Sequence, residues 1–197
     1  KSTLLLNCIM QDILRGEGVA VFDPHGELVR TIIRQVPASR LDDVRLIMPE
    51  EDDHVVGLNL LNVESDLEKD SVINYLLEVF ELLFNMTQAG GPIFEMYFRN
   101  ALMLLLYSTS EETPTLLDVQ RIFGDREYRR SRISNCTDVS VQDFWRNLAE
   151  RTTGEMMLEN YGPYISSKLV RFTHAKIPRR MYSQQRTTID FEDVIEN

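Results

Sequence analysis

From Ser65 to about His174 the apolar residues recur at helical spacing, and no stretch alternates as a strand would. Ser65-Asp66-Leu67-Glu68 is a capping box, and it opens a long helix to about Phe84 with Val72, Leu76, Val79 and Leu83 at helical spacing. Gly90-Gly91-Pro92 breaks that helix. Residues 93–107 form the next one, apolar on most sides and therefore central to a bundle. Thr113-Pro114 starts a helix with proline at its first position, leading through Leu116 to Phe123. A short basic segment runs from Asp125 to Ile133, and Ser140 to Asp143 caps a helix carrying Phe144, Trp145 and Leu148. Residues 155–174 read as mostly helical, with Gly162-Pro163 as the candidate break. A stretch of this kind buries its apolar faces only against other helices.

Ahead of Ser65 the pattern differs. Residues 1–15 read as a helix with Leu5, Ile9 and Ile13 on one stripe and Leu6, Met10 and Leu14 beside it, a face wide enough to pack on a sheet. Gly16 ends it, and Val19 to Phe22 is the short continuous apolar run of a strand buried on both sides. A second helix spans residues 27–36 and stops at Pro37; Val44 to Met48 reads as a second strand, closed by Pro49 and followed by the acidic loop Glu50 to His54. Helix, strand, helix, strand is the order of a parallel α/β sheet. The expected fold is therefore α/β: a partial parallel sheet from residues 1–64, a large all-α insertion over 65–175, and a return segment, 176–197, in which Asp190 caps a last short helix through Ile195.

Two motifs carry chemistry. Lys1-Ser2-Thr3 running into an apolar helix is how a phosphate-binding loop ends. Lys1 supplies a point charge for the β- and γ-phosphates, Ser2 a hydroxyl for Mg²⁺, and Thr3 lies near the α-phosphate. The helix that follows offers backbone N–H groups and the positive end of its dipole to the anion. The same three residues also suit an ordinary helix cap. The second motif, Asp23-Pro24-His25-Gly26-Glu27, puts acids at the carboxyl end of the first expected strand, where α/β proteins bind ligands. Asp23 and Glu27 are the catalytic candidates, bearing on Mg²⁺-bound water or sensing the γ-phosphate. The competing reading is a turn made by Asp23 and Gly26, with Glu27 favourably placed in a helix first turn.

Together these motifs, with Leu28, resemble the HerA/FtsK-type P-loop motor ATPases, and within them the coupling ATPases of conjugative, type IV secretion DNA transfer. The similarity continues through Gly91-Pro92-Ile93-Phe94-Glu95, Arg99-Asn100-Ala101-Leu102, Asp143-Phe144-Trp145, Gln184-Gln185 and Ile189-Asp190-Phe191, so it covers nearly the whole chain. The resemblance implies a RecA-like P-loop nucleotide-binding domain interrupted by an all-α domain, with ATP and Mg²⁺ as cofactors. It further implies a ring-forming homo-oligomer, a hexamer, that moves single- or double-stranded DNA and works with secretion-channel or relaxosome proteins. In the family the Walker B acid and catalytic glutamate lie on a later strand and are not identifiable in this chain. The sequence therefore reads as a fragment of a longer protein that is itself an ATPase, and the fragment alone is expected not to hydrolyse ATP.

Charge refines the picture. The formal net charge of −10 argues against a protein that coats nucleic acid by bulk electrostatics. The distribution is uneven: twelve acids against two bases over 41–81, but six bases and no acid over 168–186. The basic segment with its aromatics supplies the nucleic-acid candidates Arg171, Lys176, Arg179 and Arg180; a solvated surface explains it equally well. Five arginines between Arg121 and Arg132 add a second basic run. Cys8, on the apolar first helix, reads as a small core residue, and Cys136 falls in a polar loop; two distant cysteines make neither a disulfide framework nor a metal site. The longest apolar run, over 101–107, is too short to span a bilayer. The expected location is cytoplasmic, with any membrane association through segments upstream of Lys1. Two other functions fit: a regulatory or protein-docking module whose nucleotide site is vestigial, and a small-molecule P-loop kinase, which the large helical insertion disfavours.

Overall fold

The computed structural model describes residues 2–48, 55–85, 91–191 and 194, with the side chains of residues 2 and 152–157 outside that description. The chain divides into two compact units: Lys1–Met48 with Ile189–Asn197, and Pro49–Thr188.

The first unit contains α1 (Ser2–Arg15), α2 (Glu27–Ile33) and a 3-10 turn, Ala38–Asp43. Helices α1 and α2 pack on each other, and the Arg40 guanidinium donates to the Ile13 carbonyl at 3.3 Å, fastening the 3-10 turn to α1. The α/β expectation, a partial RecA-like parallel sheet, is corrected here. No strand forms among the described residues, and the one isolated backbone bridge, Ser108 with Cys136, lies elsewhere. Residues 19–22 and 44–48 are neither helical nor laddered, and Phe22 is 95% exposed. A short apolar run shows strand length and composition, but a strand exists only when a neighbour accepts its N–H groups and carbonyls. Among the described residues these two runs have no such partner. The wide apolar face of α1 is likewise only partly used: Ile9 is buried, whereas Leu4, Leu5 and Leu14 are exposed. Cys8 is exposed too, not a core residue.

The second unit is an all-helical bundle. Its elements are α3 (Asp66–Phe84), α4 (Gly91–Leu106), α5 (Leu116–Gly124), α6 (Arg126–Asn135), α7 (Val139–Asp143) running into a π-helical turn (Phe144–Ala149), α8 (Thr152–Thr173) and α9 (Lys176–Tyr182). Local chemistry sets several starts. Ser65 and Glu68 form the expected capping box, Ser65 Oγ accepting from the Glu68 N–H at 3.2 Å and Glu68 Oε2 from the Ser65 N–H at 2.9 Å. Thr115, not Thr113, caps α5, with Asp118 returning to the Thr115 N–H. Asp125 and Asp138 cap α6 and α7.

Helix α4 is the centre. It touches α3, α5, α6, α7 and α8, and buries Phe94, Tyr97, Phe98, Ala101, Leu102, Leu104 and Leu105. Around it lie Ile73, Leu76 and Phe80 of α3, Leu116, Val119 and Ile122 of α5, and Ile165 and Leu169 of α8. Phe80 and Phe98 pack with their rings tilted by 42° and their centroids 4.6 Å apart. Trp145 is fully buried and donates its indole N–H to the Asn100 carbonyl at 3.1 Å. The π turn around it is closed by the Glu150 N–H donating to the Trp145 carbonyl at 2.9 Å, five residues back. Helix α8 does not break at Pro163, which sits inside it; Gly162 lets α8 approach α5, its missing Cβ falling 3.3 Å from Phe123 Cβ.

The entry and exit of this unit are clasped. Leu58 N–H donates to the Met181 carbonyl, Gly57 N–H to Thr188 Oγ1, and Thr188 N–H back to the Gly57 carbonyl. Buried Asn59 donates through Nδ2 to the carbonyls of Pro114 and Gln185, at 3.0 and 2.9 Å, while its Oδ1 accepts from Leu61 N–H.

Candidate functional site

The acidic turn is built around one carboxylate. Asp23 Oδ1 accepts from His25 N–H at 3.1 Å, and Oδ2 accepts from Leu28 and Val29 N–H at 2.7 and 3.3 Å. Gly26, at φ 74°, takes the left-handed conformation that lets the chain reverse into α2. Desolvation raises the Asp23 carboxyl's pKa, but the amides of His25, Val29, Leu28 and Gly26 outweigh it and hold the group below its ordinary 3.8. Asp23 is thus a group that fixes the turn and caps α2, and three of its acceptor positions are already spent. Glu27, one residue past Gly26, is exposed, and no hydrogen bond or ion pair engages its carboxylate among the described residues. Of the two catalytic candidates, Glu27 is the one left available.

Lys1 lies outside the described residues, and of Ser2 only the backbone, the first residue of α1, is described. Thr3 follows in the first turn, exposed. Among the described residues no hydrogen bond or ion pair joins Thr3 to Asp23 or Glu27. The described residues therefore show a helix start with an exposed hydroxyl at Thr3 and, separately, a hydrogen-bonded turn followed by the exposed acid Glu27. They form no group of three or more His, Cys, Asp or Glu side chains able to hold a metal ion; the Mg²⁺ candidate remains the Ser2 hydroxyl, from sequence alone.

The nucleic-acid candidates lie on α8 and α9 of the second unit. Arg171 is exposed, its guanidinium 5.5 Å from the centre of the Phe84 ring. One turn earlier Lys168, which the sequence reading did not single out, holds its ammonium 5.2 Å from the same ring and 5.0 Å from that of Tyr164. The signal for Lys168 was its place in the basic run; its aromatic partner Phe84 comes from the far end of α3. Lys176 and Arg179 are exposed on α9, and Arg180 is half-buried. The candidates thus share an α8–α9 corner, whose joint is held by Phe172 edge-on to Tyr182, ring centroids 5.7 Å apart.

Two arginines of the other basic run are buried. Arg129 is buried, donating to Glu150 Oε1 at 3.0 Å and to the Ile122 carbonyl at 2.8 Å. Arg132 is buried against Tyr128, donating through Nε to the phenol oxygen at 3.1 Å, and Arg121 covers the Tyr128 ring at 3.8 Å. Burial, and then the Asp118 charge, push the Tyr128 phenol up to about 12. Cys136, expected in a polar loop, is buried.

No protein-family model, no curated protein and no solved structure matches this chain. The fold defines a class only: one unit is a helical bundle with clasped ends, and the other is a small helical unit bearing the acidic turn. Among the described residues no helix is long and apolar enough to cross a membrane.

Proposed function

We propose that the chain serves in an ATP-driven, Mg²⁺-dependent machine that moves DNA, as its motif resemblance implies. The observation that supports this reading is the Asp23 turn: a carboxylate locked by three backbone amides, a left-handed glycine and an open Glu27 immediately after it. Lys1, Ser2 and Thr3 hold the phosphates and Mg²⁺, Asp23 keeps the turn rigid, and Glu27 orients water next to it. Mg·ATP supplies the phosphoanhydride whose hydrolysis drives movement. Arg171 and Arg179, exposed on the α8–α9 corner, meet the DNA backbone, with Lys176 and Arg180 beside them.

Equilibrium binding of Mg·ATP to the natural full-length protein tests the nucleotide half of this reading. Lys1→Ala weakens binding at least tenfold if the ammonium meets the phosphates. Unchanged binding in that variant removes Lys1-Ser2-Thr3 from the site.

A further inference from the structure

We propose that the outer face of α3 is a docking surface for a basic amphipathic helix of a partner protein. Helix α3 has two apolar faces. One, Ile73, Leu76 and Phe80, is spent on the core. The other carries Tyr75, Val79, Leu82 and Leu83, at the i, i+4, i+7, i+8 spacing of one continuous stripe, and these are 65%, 42%, 86% and 45% exposed. Scattered exposed apolar residues are ordinary; a stripe along two turns of one helix is the geometry with which a second helix packs.

Charge selects the occupant. At the start of α3 Asp66 pairs with Lys69 at 2.9 Å and Glu68 accepts from the Ser65 N–H in the capping box, so the charge an incoming helix meets is that carried by the stripe itself. Exposed Glu78 sits in the stripe between Tyr75 and Leu82. A second copy of α3 would set acid against acid, and a nucleic acid or an anionic lipid surface would be repelled. A helix with an apolar stripe edged by lysine or arginine satisfies both features at once. The surface lies within the second unit, and the inference holds whether or not the chain binds ATP.

The test uses the 197-residue chain and a labelled synthetic helix of leucine and lysine arranged on opposite faces, with a scrambled peptide of identical composition as comparison. Fluorescence anisotropy should show the amphipathic peptide binding at least tenfold more tightly than the scrambled one. The double substitution Tyr75→Ser with Leu82→Ser, at exposed positions, should remove that advantage while thermal unfolding stays within a few degrees. Glu78→Lys should weaken binding and its salt dependence, and Val139→Ser, an exposed apolar site on α7, should change nothing. Equal binding of both peptides, or indifference to Tyr75 and Leu82, overturns the proposal. So does a dimer in sedimentation that Leu82→Ser dissociates, which would give the face to a second copy.

Discussion

Asp23 shows how a residue can look catalytic and act on the backbone. Its type and its place before Pro24-His25-Gly26-Glu27 suit either role, and the hydrogen bonds to His25, Leu28 and Val29 assign it to the turn. Because its folded pKa is depressed, the stabilisation it gives is complete above the unfolded value and is lost as pH falls through the folded one. An NMR titration of the Asp23 carboxyl should therefore give a midpoint below 3.8; a midpoint at or above that value contradicts the capped turn. Gly57 is a second case. A Cβ there would lie 2.6 Å from the Arg186 carbonyl oxygen and 2.9 Å from Gln184 Cβ, and the first of these is backbone that cannot rotate away. Gly57→Ala should cost about 2 kcal/mol in urea unfolding, in the range of other overpacked sites. No loss would mean that the 57–59 and 184–188 segments are not clasped.

At the scale of elements, what could be read from sequence was what neighbours along the chain decide. The Ser65 capping box and the burial of α4 follow from residues a turn or two apart, and both are found. What depends on a distant partner could not be read. Residues 19–22 have a strand's composition, and among the described residues no neighbouring strand pairs with them. Arg129 read only as one of five arginines in a basic run because Glu150, its partner, lies at the other end of α7 and the π turn. Thr113-Pro114 looked like a helix start, but the Pro114 carbonyl is taken by Asn59, from the entry segment, and α5 begins after Thr115. Pro163 looked like a break, and packing of α8 on α5 carries the helix through it. The Arg129–Glu150 pair is nearly buried at both ends, so removing one member strands the other. Glu150→Ala should destabilise the bundle by about 3 kcal/mol in denaturant unfolding. A loss like that of an exposed pair, below about 1 kcal/mol, would contradict the burial of Arg129.

At the scale of the molecule, the two units differ in how well they are satisfied. The helical unit has one continuous core around α4, and its ends are tied by Gly57, Asn59, Gln185 and Thr188. The small unit leaves Leu4, Leu5, Leu14, Phe22 and Leu41 exposed. Residues 55–188 should therefore fold alone, with cooperative thermal unfolding within a few degrees of the corresponding transition of the whole chain. A molten excised bundle, helical by far-UV dichroism but without a cooperative transition, would show that the clasp does not close the unit.

The resemblance predicts an activity that a helical fold alone does not. ATP turnover by the natural full-length protein, with and without single- and double-stranded DNA, tests it most directly. The account predicts turnover that rises severalfold with DNA and falls on the order of 100-fold in Glu27→Gln, a loss typical of removing one group that acts in the transition state. Turnover absent in a protein whose helical unit is folded, or present and indifferent to DNA and to Glu27, would contradict it.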